Sequence, residues 1–416
     1  MLLVGWVGYM SLGWAQNEQW EKTERGEINR RVISTELSLA DATQSWMPLL
    51  RWAVGSEDLA GLLDDSIDYL SQLDQKSGLE GGEWQISQSL KVLAASDQDR
   101  AEVMGNSGLV YEDFALGETY WEVRLLEEFS GDRLGSATKL EAFREKQSKL
   151  VNRVVWFALV GWTVFVIGLL FVRRVVRNYS LEPAWKQPLP LRLWPLSMVL
   201  MVYCLSVVFE LVILWGGYGM IGLMLSEWSI SVNFLMDSLW RVTAAVTFMM
   251  LLFARPSHAV KVLGCFRRVH WRLLVSMMVL MGLYDAALYY LFDWLKLVDW
   301  TEGLDLTGDG LLGLFGMVLS GVILAPVCEE IVYRGGLFNG FLRRFSFWPA
   351  ALLSSSFFAA IHFYDVYGCL SVYGFGVASC MLYRATGSLS TSIVFHALNN
   401  VMYFLYAWLL YNEPYS

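Results

Sequence analysis

The chain has 416 residues, of which 55% are hydrophobic, 15% are aromatic and only 17% are charged. Since soluble globular proteins carry about 25% charged residues, this composition excludes an ordinary soluble protein and predicts an integral membrane protein. The net charge of −9 is unevenly spread: residues 17–150 carry 26 acidic and 14 basic side chains, and the remainder carries 14 acidic and 17 basic ones. The chain therefore has an acidic N-terminal region and an apolar, slightly basic remainder.

The spacing of cysteine and histidine gives none of the common local metal motifs. The five cysteines lie in or beside the apolar part and include no Cys-x-x-Cys pair, so they indicate neither a disulfide framework nor a cysteine metal site. There are four histidines, and no His-Glu-x-x-His zinc helix is present. Nothing in the sequence indicates a nucleic-acid partner.

Residues 1–16 form an apolar N-terminal segment. The segment ends with Gly13-Trp14-Ala15 before Gln16, a small-x-small pattern that is typical of a signal-peptidase site. The basic n-region of a signal peptide is missing, however. We therefore expect either a cleaved signal peptide or a retained short anchor.

Residues 17–150 read as a polar, acidic and helical extramembrane region. Leucine and isoleucine recur with helical spacing at Leu59, Leu62, Leu63, Ile67 and Leu70. Glycine and serine at 77–78, 81–82 and 105–108 predict breaks between helices. No catalytic spacing is found in this region, and its acidity is typical of a solvated surface.

From residue 151 onward the sequence predicts about eight transmembrane helices. Each apolar run is close to the length of about 20 residues that crosses a bilayer, which makes the chain an all-α, polytopic membrane protein. The predicted spans are 153–172, 193–215, 235–254, 272–292, 311–340, 349–365, 367–384 and 389–411.

The charges of the connections predict the orientation of these spans. The connections after the first, third, fifth and seventh spans are basic, whereas the one after the fourth span carries Asp293, Asp299, Glu302, Asp305 and Asp309. The positive-inside rule then places the basic connections in the cytoplasm. We expect a multi-pass protein of a bacterial inner membrane, with residues 17–150 outside the cytoplasm.

Three polar motifs interrupt the apolar spans near the C-terminus. They are Glu329-Glu330-x-x-x-Arg334, Phe358-x-x-x-His362 and His396-x-x-x-Asn400. An ionisable group inside a bilayer costs several kcal/mol and is a functional hypothesis by default. At about 1.5 Å per residue, all three motifs lie about 18–24 Å from the cytoplasmic boundary, which predicts that they share one depth.

Helical spacing within each motif assigns the faces. Glu330 and Arg334 are four residues apart, which suits an ion pair, and Glu329 points about 100° away from Glu330. We therefore expect Arg334 to neutralise Glu330 and Glu329 to face the cavity. His396 and Asn400 should project from one face of their helix.

These residue types suit the hydrolysis of a peptide bond. A carboxylate beside an imidazole can hold and deprotonate a water molecule, and a second imidazole with an amide can donate hydrogen bonds to an oxyanion. A zinc hypothesis is open as well. Glu329, His362 and His396 would supply three protein ligands, with water in the fourth position.

The ordered set Glu-Glu-x-x-x-Arg-Gly, Phe-x-x-x-His and His-x-x-x-Asn on successive membrane helices resembles the CPBP intramembrane proteases, also named the Abi or CAAX-protease family. The resemblance covers about the last hundred residues, 311–416, and leaves the spans in 151–310 outside it. The family includes processors of prenylated C-terminal peptides and proteins linked to bacteriocin maturation and immunity. It has been described both as glutamate proteases and as metalloproteases.

The resemblance implies a role for each motif residue. Glu329 and His362 would activate the water, and His396 and Asn400 would form the oxyanion hole. Glu330 and Arg334 would support the site, and Tyr333 would line it. The substrate would be a peptide or protein, membrane-anchored or lying near the membrane.

Other function classes remain as alternatives at this stage. A member of the family could act as a non-proteolytic scaffold or immunity factor, although no motif residue is lost in this chain. A haem protein using His362 and His396 would give no role to Glu329 or Asn400. A transporter would be favoured by an inverted repeat, and none is found. Three further ionisable residues of the spans would act as buried packing groups or line the substrate cavity: Glu210, Arg241 and Asp285.

Overall fold

The computed structural model describes residues 29–109, 119–129, 136–178, 195–208, 238–251, 263–295 and 310–411, apart from a few positions within these ranges. All secondary structure in these ranges is helical, which confirms the predicted all-α class. Residues 1–16, Glu210, Arg241 and most of the acidic connection after the fourth span lie outside the described residues. The helices, numbered in chain order, are α1 (29–43), α2 (Pro48–Ala53), α3 (Leu59–Ser77), α4 (Gly81–Ala94), α5 (Arg100–Asn106), α6 (Tyr120–Phe129), α7 (Ser136–Asn178), α8 (Leu196–Val208), α9 (245–251), α10 (Trp271–Trp294), α11 (310–341), α12 (Phe347–Ala360), α13 (Val366–Thr386) and α14 (Leu389–Tyr411).

The described part of the acidic region is a set of helices. Helix α3 contains the leucine and isoleucine positions singled out above, and α4 begins at Gly81, at one of the expected breaks. Gly108 follows α5 with a φ of 75°, a conformation that glycine adopts without strain. A small apolar core of Val92, Leu109, Leu125 and Leu126 packs between these helices.

Helix α7 is continuous over 43 residues from Ser136 to Asn178. Early in α7, the side-chain amide of Gln147 donates a hydrogen bond of 2.8 Å to the carbonyl oxygen of Ser38 in α1. The change from polar to apolar sequence near residue 150 therefore falls within one helix.

Within the described part of the chain, five helices are long and apolar enough to cross a membrane: Thr138–Val172, Trp271–Phe292, Leu314–Phe341, Val366–Thr386 and Leu389–Leu410. They coincide with the first, fourth, fifth, seventh and eighth predicted spans. The second and sixth predicted spans correspond to the shorter apolar helices Leu196–Val208 and Phe347–Ala360. The third predicted span is described only in part, so the structure supports a multi-pass membrane protein without fixing the count of eight.

Helix α11 departs from a regular α-helix at two places. A π-helical segment over Val318–Leu324 precedes Pro326, and a second one covers Glu330–Phe338. Proline lacks an N–H group and clashes with the preceding turn, and π-helical turns occur where the regular hydrogen-bond ladder is interrupted. The depth calculated for Glu330 from a rise of about 1.5 Å per residue therefore does not apply to this helix.

Glycine in the second π-helical segment permits close packing. A Cβ atom on Gly336 would lie 2.2 Å from the ring of Phe248 in α9. The same segment belongs to a large apolar core to which every helix from α8 to α14 contributes. This core holds the motif-bearing helices α11, α12 and α14 together with α13.

Candidate active site

Glu330 and Arg334 form a fully buried ion pair on α11. Nη1 of Arg334 lies 3.1 Å from Oε1 of Glu330, and the two side chains are 1% and 0% exposed. The Cζ atom of Arg334 also lies 4.3 Å from the ring centre of Phe358 and 5.7 Å from that of Phe375. The predicted pairing is confirmed, and two aromatic faces add to the stabilisation of the buried cation.

His396 lies between the two glutamates. Its Nδ1 atom is 3.1 Å from Oε1 of Glu330, and its Nε2 atom is 3.8 Å from Oε2 of Glu329. These contacts join α14 to α11 through the first and third motifs. Two atoms 3.8 Å apart can both lie about 2.8–3.0 Å from one oxygen atom, so a water molecule can be held between Glu329 and His396.

Aromatic rings fix the imidazole of His396. The ring centre of Phe375 in α13 lies 4.7 Å away, and that of Phe358 in α12 lies 5.9 Å away. Phe375 is itself stacked on Phe395, the residue before His396, at 4.9 Å. The imidazole therefore has one orientation set by packing and by the two carboxylates.

Ser379 is a site residue that sequence reasoning missed. Its hydroxyl group on α13 donates a hydrogen bond of 2.7 Å to Oε2 of Glu330. Both oxygens of this buried carboxylate therefore have partners, which a buried charge requires. A single serine in an apolar span gives no local signal, because the motif pattern does not extend to α13.

His362 lies in the turn that follows α12, since that helix ends at Ala360 and not at residue 365 as predicted. Its Nδ1 atom is 2.7 Å from the carbonyl oxygen of Phe358, and the two rings are in contact at 4.8 Å. A carbonyl oxygen only accepts, so Nδ1 carries the proton and the lone pair of the neutral ring is at Nε2. Because Phe358 contacts both imidazoles, it links His362 to the cluster around His396.

Asn400 lies one turn after His396 on α14, as the spacing predicts. Its side-chain amide donates a hydrogen bond of 2.7 Å to the carbonyl oxygen of Gly321 in the first π-helical segment. Phe404, one turn further, packs directly on Gly321, where a Cβ atom would lie 2.4 Å from the ring. The close approach of α14 to α11 thus depends on the missing side chain of residue 321. An amide nitrogen has two protons, so the second one remains for another acceptor.

Tyr333 is buried beside Phe358, with ring centres 5.0 Å apart. Its hydroxyl oxygen is 3.3 Å from that of Tyr203 in α8. The contact with Phe358 places Tyr333 in the second layer behind the histidines. Tyr203 had no signal in the sequence.

The zinc hypothesis requires three side chains that face one metal ion. Among the described residues, no group of three or more His, Cys, Asp and Glu side chains is arranged so that it could hold a metal ion. Both ring nitrogens of His396 face carboxylates, at 3.1 and 3.8 Å. Of the three predicted ligands, the structure brings Glu329 and His396 together, with Oε2 and Nε2 3.8 Å apart.

Residues 311–402 match the family model described as type II CAAX prenyl endopeptidase Rce1-like. The matched segment begins at the start of α11 and ends two residues beyond Asn400, so it contains all three motifs. No curated protein and no solved structure matches the chain.

Proposed function

Since residues 311–402 form an Rce1-like domain of the CPBP family, we propose that this protein is an intramembrane endopeptidase that hydrolyses a peptide bond in or near the membrane. The observation that carries the proposal is the buried cluster of Glu329, Glu330, Arg334 and His396 on apolar helices. Ionisable groups at such a position are costly, and a catalytic task is the most direct reason for them.

Glu329 and His362 activate the attacking water in this mechanism. Oε2 of Glu329 lies 3.8 Å from Nε2 of His396, so the carboxylate can accept the proton of a water held between them. His362 has its Nδ1 proton committed to the carbonyl oxygen of Phe358 at 2.7 Å, which leaves Nε2 as the acceptor. Water activation by a positioned general base contributes about 10²–10⁴ to the rate.

His396 and Asn400 stabilise the oxyanion of the tetrahedral intermediate. With Nδ1 of His396 bonded to Glu330, donation from Nε2 requires the doubly protonated ring. In the state in which both carboxylates are ionised, Arg334 alone leaves the buried cluster one charge short of neutrality, and a protonated His396 restores it. The second amide proton of Asn400 supplies the other hydrogen bond.

Glu330 and Arg334 act as positioning residues. Glu330 holds His396 at Nδ1, and Arg334 together with Ser379 holds Glu330. Tyr333 supports Phe358, which contacts both imidazoles. The substrate is a peptide or protein anchored in or lying near the membrane of a bacterial cell, with residues 17–150 outside the cytoplasm.

The experiment compares membranes that contain the wild type, Glu329→Gln or Glu329→Ala, in cells lacking the native gene, and profiles peptide termini by mass spectrometry. Glu102→Gln is the matched control, because Glu102 is exposed in α5. We expect cleavage products from the wild type and from the control, and none from either Glu329 variant. Identical termini in all four membranes, with all proteins folded and abundant, would overturn the proposal.

A further inference from the structure

Another carboxylate, outside the catalytic cluster, lies on the membrane-span helix α10. Asp285 is half-buried, and the hydroxyl group of Ser371 in α13 donates a hydrogen bond of 2.8 Å to its Oδ1 atom. The catalytic cluster does not use Asp285. An ionisable residue in a span is a candidate site for function, and the first question is which cation it binds.

No described lysine or arginine forms an ion pair with Asp285. Arg334 is committed to Glu330. The other described arginines next to α10 and α13 lie at one end of these helices: Arg267, Arg268 and Arg272 at or before the start of α10, and Arg384 in the last turn of α13. The nearest along each helix, Arg272 and Arg384, are 13 residues from the Asp285–Ser371 contact, which is about 20 Å. Within the described part of the chain, the carboxylate therefore has a hydroxyl partner and no cationic one.

The position of Asp285 is held tightly. The neighbouring Tyr284 donates a hydrogen bond of 2.8 Å to the carbonyl oxygen of Leu370. Its ring lies against Gly374, where a Cβ atom would be only 2.3 Å away. These contacts fix α10 against α13 with Asp285 beside Ser371, so the carboxylate is a rigid acceptor. Tyr367 lies close enough to interact with its charge, and the face of a tyrosine ring also favours a cation.

Helix α13 connects this carboxylate to the catalytic cluster. Ser371, Phe375 and Ser379 follow one another at intervals of four residues, and they contact Asp285, His396 and Glu330 respectively. Four helical residues rise about 6 Å, so Asp285 lies about 6–12 Å along α13 from the groups that contact the catalytic residues. An extended peptide covers about 3.3 Å per residue, so this offset equals about two to four residues of substrate.

We propose that Asp285 is a specificity subsite that binds a lysine or arginine side chain of the substrate, about two to four residues from the scissile bond. The inference rests on the proposed endopeptidase function, because a specificity subsite is defined relative to a cleaved bond. The substrate is then a membrane-embedded or membrane-anchored peptide with a basic residue close to the cleavage point.

The first test measures binding and needs no cleavage. Three fluorescent hydrophobic peptides that differ at one central position, with lysine, norleucine or glutamate, are titrated with the full-length protein in nanodiscs. We expect the wild type to bind the lysine peptide about tenfold more tightly than the norleucine peptide, as a hydrogen bond to a charged group provides. Equal binding of the lysine and norleucine peptides by the wild type would overturn the proposal without recourse to any variant.

Substitutions then test whether Asp285 is the residue that causes the lysine preference. Asp285→Asn keeps an oxygen acceptor for Ser371 and removes the charge, so it should bind the lysine and norleucine peptides equally. Asp285→Lys should prefer the glutamate peptide, which gives a second variant if the first does not fold. The control Glu102→Gln, exposed in α5, retains the Asp285 carboxylate and should keep the lysine preference. A lysine preference that survives in Asp285→Asn would overturn the assignment.

Cleavage separates this inference from the function on which it rests. A lysine preference in binding without hydrolysis of any peptide would count against the endopeptidase and leave the subsite in place. Hydrolysis that is equally fast with lysine, norleucine and glutamate at each of the four positions on either side of the cleaved bond would refute the subsite and leave the endopeptidase function in place.

Discussion

Replacing Arg334 by methionine tests the buried ion pair at its most sensitive point. Arg334 and Glu330 are 1% and 0% exposed, with Nη1 and Oε1 3.1 Å apart, so solvent cannot compensate for the loss of one partner. Breaking a pair buried to this extent leaves an uncompensated charge and costs about 3–5 kcal/mol. Methionine fills much of the space of the arginine stem, so the loss reflects charge more than a cavity.

A double-mutant cycle separates charge from packing. Glu330→Gln removes the other charge and keeps the shape of the side chain, with an oxygen that can accept from Ser379 and an amide group that can donate to Nδ1 of a neutral His396. Glu330→Gln combined with Arg334→Met should therefore recover most of the lost stability. Thermal unfolding of the four proteins in detergent, followed by size-exclusion chromatography, provides the comparison. The reasoning would be refuted by an Arg334→Met protein as stable as the wild type, or by a double variant less stable than either single one.

Three further predictions concern the supports of the site. Ser379→Ala should lower the free energy of unfolding by about 1–3 kcal/mol, because Oε2 of Glu330 is left unsatisfied, and should also lower kcat. The control Ser356→Ala loses only an exposed hydrogen bond within its own helix and should change neither the stability nor kcat. Equal effects of the two substitutions in unfolding and turnover assays would contradict the role of Ser379. Gly321→Ala should displace the ring of Phe404 and lower the free energy of unfolding by about 1–3 kcal/mol. The control is Gly282→Ala in α10, where the added Cβ atom would meet nothing within 4 Å, and it should leave the free energy of unfolding unchanged in the same assay. Asn400→Ala should reduce kcat by about 10²–10³, as the loss of one oxyanion donor does. It should also lower the free energy of unfolding by about 1–3 kcal/mol, because the carbonyl oxygen of Gly321 loses its hydrogen bond. Full turnover would exclude Asn400 from the oxyanion hole.

The sequence predicted the parts of the site that depend on spacing within one helix. Glu330 and Arg334 at four residues, and Phe358 and His362 at four residues, are in contact as expected. The all-helical class followed equally directly from composition and apolar period. Such local relations require only the geometry of a helical turn, and the π-helical segments do not disrupt them.

Relations between helices were harder to predict. Placing His396 between Glu329 and Glu330 depends on Gly321 and on the π-helical segments of α11, and no pattern in the sequence predicts where a helix widens. Ser379 lies on α13, a span that carries none of the three motifs, so the sequence did not indicate it. The predicted sixth span was too long, because His362 belongs to a turn and not to the helix that precedes it.

The most direct test of the central claim uses purified protein reconstituted in liposomes with a peptide found by terminal profiling. Paired product peptides are quantified by mass spectrometry for the wild type and for Glu329→Gln, His362→Ala and His396→Ala. The account predicts that only the wild type produces both fragments, with all four proteins equally folded. Fragments formed at equal rates by the wild type and Glu329→Gln would show that the buried glutamate is not the catalytic base and would contradict the account.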